Sequence, residues 1–342
     1  MKKIRLSNIV FEITRECNLN CLYCYNIWKK DADSKLIDNN NYPNKYEKVK
    51  KTLVKLLSQV EIDTITLSGG EPFLTERFLE IVLYLRMKRI NVVIITNGNA
   101  SDKNSYNILK ELGVSLFELP FHSNKYYEHD RMTQIQGSGE KSLNSIKELI
   151  NLGLDVVPVI ILTKINYKNL KETLIFLYNL GLKRIMLNRF NIGGSGLQNK
   201  SNLWLNKNEL IESYNVANNV SRDYKLNISS NVCTPICILD PLDFRFIDFG
   251  FCSTNPLEMP LTLHHNGDLR ICNHSPIVIG NIFESNIADL LKSTIVLEWN
   301  RKIPKFCLNC EKYTKCLGGC RAASLQMYGK DNEVDPIVKE IV

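Results

Sequence analysis

Along residues 9–190 the apolar positions switch repeatedly between two periods. Strand-like runs fall at 9–13 (Ile9-Val10-Phe11-Glu12-Ile13), 64–67, 91–95, 115–121, 155–162 and 184–190. Between them lie stretches with apolar residues three and four apart: 46–57, with Val49, Leu53, Leu56 and Leu57 on one side, then 77–87, 105–112, 141–152 and 170–180. These periods predict alternating strands and helices, six βα-type units in all. Such units make a parallel sheet with helices outside, as a barrel or as an open doubly wound sheet. Right-handed crossovers bring every strand's C-terminal end to one face, where parallel α/β folds build their sites. Cys17, Gly69, Asn97, Ser123, Asn188 and Arg189 all sit just past or at such ends. The polar stretch 29–45, with Asp31, Asp33, Asp38 and Asn39-Asn40-Asn41, predicts a loop or a poorly ordered lid.

Past residue 200 the pattern changes. A helical bridge at 206–220 leads into a cysteine-rich region. There Asn266-Gly267-Asp268 separates the apolar runs 261–265 and 269–272, a strong hairpin signal. Three parts are expected: 1–200 as a barrel, 201–230 as a helical bridge and 231–342 as a separate domain.

Composition narrows the classes. The chain has 342 residues, 44% of them hydrophobic and 23% charged, as in a soluble globular protein. The net charge of +7 is mild, and the lysines and arginines are scattered. That speaks against nucleic acid, which wants them on one face. No apolar run is long enough to cross a membrane. Asn8, Glu12, Arg15 and Glu16 interrupt any signal peptide starting at Met1-Lys2-Lys3. The chain reads as cytoplasmic. Eleven cysteines in such a protein argue for metal rather than disulfides.

The most compact thiol group is Cys17-x3-Cys21-x2-Cys24. Three thiolates hold three corners of a cubane iron–sulfur cluster and leave the fourth iron open. An open position on a metal generally means chemistry. Tyr25, right after the last thiol, suits a cluster-covering loop. A zinc loop or simply buried thiols are the plainer alternatives. The triad with its aromatic resembles the cluster motif of the radical S-adenosylmethionine (SAM) superfamily. In that family the open iron chelates the amino and carboxylate groups of SAM, and one electron cleaves SAM to a 5′-deoxyadenosyl radical. Ser68-Gly69-Gly70-Glu71-Pro72 after the second strand resembles the family's GGE motif, whose backbone binds the methionine amino group, with Glu71 helping locally.

The resemblance implies a partial (β/α)6 TIM-like barrel, open on one side, within the α/β class. It further implies SAM contacts at Asn97, at Ser123, at Arg131 in His129-Asp130-Arg131-Met132, and at Asn188 and Arg189. Gly193 and Gly194 would let backbone approach the adenine or the substrate. His122 and His129 are expected to be structural.

Cys252, Gly267 and Cys272, followed by Cys307-x2-Cys310-x5-Cys316-x3-Cys320, resemble the SPASM domain, which carries auxiliary iron–sulfur clusters in peptide- and protein-modifying members. A four-cysteine zinc site is the alternative. By family pattern the first auxiliary cluster takes Cys252, Cys272, Cys320 and one upstream thiol, assigned to Cys237 with Cys233 as the alternative. The second takes Cys307, Cys310 and Cys316. No cysteine follows Cys320 to complete it, so Asp331, Glu333 or Asp335 is expected to stand in, with Asp335 chosen, or the site is open. One thiol, Cys233 or Cys237, is left over as a candidate hydrogen-atom donor.

The function implied is radical hydrogen abstraction from a peptide or protein, maturing a ribosomally made peptide by crosslinking or epimerisation. Formylglycine formation in sulfatases and haem or quinone cofactor synthesis are alternatives, and a non-catalytic iron–sulfur carrier or sensor is another. The implied cofactors are SAM, a [4Fe–4S] cluster and one or two auxiliary clusters. A flavodoxin- or ferredoxin-type electron donor is an expected partner. Because Cys17 lies near the start, a leader peptide is expected to be bound by a separate protein, or not used.

Overall fold

The computed structural model describes residues 3–29 and 45–340. The expected loop at 29–45 lies, but for its two ends, outside them. One sheet of eleven strands runs through the described residues, in the order β11-β10-β9-β1-β2-β3-β4-β5-β6-β7-β8. Strands β1 (Ile4–Thr14), β2 (Val60–Gly69), β3 (Asn91–Ile95), β4 (Leu116–Pro120), β5 (Val156–Leu162) and β6 (Arg184–Arg189) are parallel neighbours in chain order. A doubly wound sheet reverses its strand order within its parallel run. From β1 to β8 this run does not, and the winding is that of a partial barrel.

The crossovers include α1 (Lys45–Gln59), α2 (Phe78–Met87), α3 (Lys103–Glu111), α4 (Tyr126–Thr133), α5 (Ser138–Asn151) and α6 (Leu170–Asn179). Their apolar stripes cover the sheet: Val49, Leu53 and Leu56 from α1, and Ile81, Val82 and Leu85 from α2, are at most 2% exposed. The short α4 has no helical period to reveal it in sequence. Asp130 on α4 accepts from the Gly137 and Gly139 amides and the Ser138 hydroxyl, and so joins α4 to the start of α5.

The expected bridge is more than a linker. Helix Lys207–Tyr224, opened by a capping box between Asn206 and Glu209, packs on α6. It delivers the chain to β7 (Asn227–Ser230), parallel to β6, and then to β8 (Ile247–Phe249), parallel to β7. The parallel run therefore passes beyond the six expected units. At the opposite edge the hairpin of β9 (Thr262–His264) and β10 (Asp268–Arg270), continued by β11 (Val278–Asn281), pairs with β1 through Val10, Phe11 and Glu12. The cysteine-rich segment thus extends both edges of the barrel sheet. No helix among the described residues is long and apolar enough to cross a membrane.

Candidate active site

Cys17, Cys21 and Cys24 lie on the loop that leaves β1. The loop is pinned where the Asn20 and Leu22 amides donate to the Thr133 and Met132 carbonyls at the end of α4 (3.1 and 2.9 Å). All three thiols are partly exposed. Two aromatics stand beside them, Tyr23 next to all three thiols and Tyr25 near Cys24. Burial and the neighbouring thiols of Cys21, Cys24 and Cys17 push the Tyr23 phenol well above its ordinary pKa. Its ring meets the His122 ring edge-on at 4.6 Å. Tyr25 also reaches the C-terminal segment: its hydroxyl accepts from Asn273 Nδ2 at 2.9 Å, next in sequence to Cys272, and its ring packs on His274.

The Gly69-Gly70-Glu71 turn lies against the segment that enters this loop. The Gly70 and Glu71 amides donate to the Thr14 and Glu16 carbonyls at 2.8 and 2.7 Å. Gly69 has φ +127°, and a Cβ there would stand 2.2 Å from the Thr14 oxygen; one on Gly70 would stand 2.0 Å from the Glu16 oxygen. These glycines are thus required by the close approach of two strand ends. The Gly69 carbonyl accepts from Asn26 Nδ2.

Glu71 is fully buried, and its carboxylate accepts from Thr96 Oγ1, the Asn97 amide and the Phe73 amide. It fixes the turn after β3. Asn97 then reaches Asn18 Oδ1 at 2.7 Å and lies 3.9 Å from Cys17 Sγ. Burial raises the Glu71 pKa to about 7. The folded chain therefore keeps a proton that the unfolded chain loses near its ordinary carboxyl pKa. That stabilisation is complete in acid and is lost as pH rises through the interval up to about 7, on the order of 3 kcal/mol. Urea unfolding at about pH 5 and about pH 8 will show this slope in the unaltered chain, and Glu71→Gln will flatten it.

Other expected SAM contacts are engaged within the chain. Ser123 Oγ donates to Glu128 Oε2 and accepts from Asn169 Nδ2 and the Lys125 amide. Arg131 is exposed and makes no ion pair with a described residue. Gly194, at φ +49°, packs on the Cys24 and Asn26 carbonyls rather than opening toward a ligand. His122 and His129 are buried and stacked, with burial holding His122 well below its ordinary pKa and His129 at about 4.

Asn188 and Arg189 serve the cysteine-rich domain. Asn188 Oδ1 accepts from the Asn231 and Val232 amides. Arg189 donates to the Cys233 carbonyl, Thr234 Oγ1 and Asp335 Oδ2, at 2.9, 3.0 and 2.5 Å. This places Cys233, rather than Cys237, with Cys252, Cys272 and Cys320. Cys233 Sγ lies 3.3 Å from Cys252 Sγ. A hydrogen bond from the Cys233 thiol draws Cys320 down to about 7, and burial pushes Cys272 up to about 12. Amides point at the sulfurs: Asn191 Nδ2 to Cys320 and the Ser275 amide to Cys272.

Cys237 faces Cys316, Cys310 and Cys307 instead. Burial raises both Cys237 and Cys307, Cys307 to about 11, and the other thiols of the group add to it. The Ile236 amide donates to Cys316 Sγ at 3.4 Å. Asp335, expected to complete this second group, is engaged elsewhere in this structure. Its carboxylate is fully buried against Arg189 and accepts from the Cys320 and Ile337 amides. All eleven cysteines are free thiols, and they fall into groups of three, four and four.

An all-thiol donor set suits iron–sulfur clusters or zinc. Among the described residues no three such side chains converge at single-ion spacing. A cubane binds each cysteine at a different iron, so its ligands stand further apart than those of one zinc ion. Seating a cluster would still part the Cys233 and Cys252 sulfurs.

Residues 11–177 match the model of the Radical SAM superfamily. The chain carries that radical SAM domain, and with it the enzyme class that uses SAM and a [4Fe–4S] cluster. It is similar to the PqqA peptide cyclase of Gluconobacter oxydans, 21% identical over 335 residues, covering 96% of this chain and 89% of that protein. Its fold is that of Streptococcus suis SuiB bound to precursor peptide SuiA (TM-score 0.74, 15% identity, 98% of this chain and 76% of that one). It is equally that of anSMEcpe with bound AdoMet (TM-score 0.73, 16% identity, 99% and 91%).

Proposed function

We propose that the chain matures a ribosomally made peptide by joining two of its carbons. The observation that carries this is the three–four–four partition of the thiols. Cys17, Cys21 and Cys24 would hold the SAM-binding cluster. Cys233, Cys252, Cys272 and Cys320 would hold one auxiliary cluster, and Cys237, Cys307, Cys310 and Cys316 the other. A [4Fe–4S] cluster held by the first group would supply the electron for SAM cleavage, the chemistry by which hydrogen would be taken from the substrate. Asn97 and Tyr23 position the thiol loop beside it.

The peptide substrate is supported by the likeness to a peptide cyclase over most of both chains. Replacing two C–H bonds by one bond between carbons removes two hydrogens. One leaves in 5′-deoxyadenosine. The other leaves as a proton and an electron, and the electron needs an acceptor within the protein. Two all-thiol groups close to the barrel answer that need. Epimerisation instead needs a hydrogen donor, and the partition leaves no spare thiol for it.

The test is anaerobic reconstitution with SAM, a reductant and each short peptide encoded beside the gene. Release of 5′-deoxyadenosine with a peptide two hydrogens lighter is expected. A peptide of unchanged mass that takes up solvent deuterium at Cα would replace crosslinking with epimerisation. Absence of 5′-deoxyadenosine would overturn the reading.

A further inference from the structure

We propose that the face around Cys307 and Cys310 is the docking surface for an acidic one-electron carrier protein. This rests on reading Cys237, Cys307, Cys310 and Cys316 as a cluster site. Three observations carry it.

The loop bearing these thiols exposes large apolar side chains: Ile303 at 40%, Phe306 at 55% and Leu308 at 63%. Grouped exposed apolar residues rimmed by polar ones mark interaction sites. The same loop concentrates charge. Residues 301–316 hold Arg301, Lys302, Lys305, Lys312 and Lys315 against Glu311 alone, a surplus of four in a chain whose whole surplus is seven. Lys302 pairs with Asp331 and Lys312 with Asp240. Arg301, Lys305 and Lys315 make no salt bridge with a described residue, so their charge faces outward. Finally, this thiol group reaches the surface, since Cys310 and Cys237 are exposed while Cys307 and Cys316 are buried.

Charge alone would attract any acidic partner. An exposed thiol ligand on the same loop, Cys310, selects a redox protein, because there the gap an electron must cross is short. A peptide substrate must instead reach the barrel rim beside Cys17, Cys21 and Cys24. A small basic and apolar patch also suits the weak, electrostatically steered encounters of electron carriers. In the step itself one electron leaves the reduced carrier and enters the protein. No bond forms or breaks, and the carrier departs oxidised by one electron. The reverse transfer removes the electron released when the substrate's carbons join.

The test uses the reconstituted holoenzyme and reduced flavodoxin, an acidic flavoprotein, with bleaching of the visible iron–sulfur absorbance followed by stopped flow. The rate should fall with added salt. Lys305→Glu with Lys315→Glu, and separately Phe306→Ser with Leu308→Ser, should slow it about tenfold at low salt. Photoreduced deazaflavin, small and neutral, should reduce all three proteins equally fast. Equal flavodoxin rates in all three, or a rate indifferent to salt, would overturn the docking surface. Equal slowing with deazaflavin would also overturn it, since the variants would then have damaged the cluster. Iron content and absorbance, measured before any carrier is added, check the cluster reading separately: a chain lacking the second auxiliary cluster removes its basis.

Discussion

Anaerobically reconstituted Cys17→Ala protein will release no 5′-deoxyadenosine, yet will keep about two-thirds of the iron of the unaltered chain. Cys17 belongs to the one thiol group on the loop after β1, and Asn97 stands 3.9 Å from its sulfur. Neither four-thiol group shares a cysteine with it. The companion variant Cys237→Ala should lose a different third of the iron and still cleave SAM, because Cys237 faces Cys307, Cys310 and Cys316. Iron and sulfide analysis beside 5′-deoxyadenosine release separates the two outcomes. If Cys237→Ala kept all its iron while Asp335→Ala lost a third, the assignment of the second group would be wrong.

Asp335→Ala will destabilise the fold by about 3–5 kcal/mol, the usual cost of leaving half of a buried ion pair. Arg189 and Asp335 are only 2% and 0% exposed. The variant strands a guanidinium among the Cys233 carbonyl and Thr234, and deprives the Cys320 and Ile337 amides of their acceptor. Arg189→Met with Asp335→Leu should recover much of the loss, because replacing both charges by apolar groups removes the unpaired one. Urea unfolding of the single and double variants measures this as a coupling energy. Additive losses would mean that the pair contributes nothing beyond its separate contacts.

The barrel was legible in the sequence because its strands are apolar runs and most of its helices carry a clear stripe. Strand β7 reads Asn-Ile-Ser-Ser and β8 only Ile-Asp-Phe, too short and polar to stand out, so the parallel run seemed to stop early. The thiol triad was legible because all its ligands lie within one loop. The choice between Cys233 and Cys237 was not. They are four positions apart, and what sorts them is remote: Arg189 at the end of β6 holds the first, while Cys316 accepts from the amide just before the second. Likewise the partners that Ser123, Asn188 and Arg189 find within the chain are remote in sequence, and no local pattern announces them. Tyr23 was overlooked because Tyr25 follows the last thiol, although Tyr23 lies between the last two.

The pairing of β9 with β1 also bears on how the chain is made. Val10, Phe11 and Glu12 emerge early from the ribosome, but their partners are Thr262, Leu263 and His264. Until those are synthesised, one flank of an apolar strand has no neighbour, and such an edge invites pairing with other chains. A barrel cut off before residue 262 keeps that flank open permanently. The cysteine-rich segment therefore covers the outer flank of the first strand as well as seating most of the thiols, and truncated forms should be recovered as aggregates. The first strand to be synthesised is among the last to be completed.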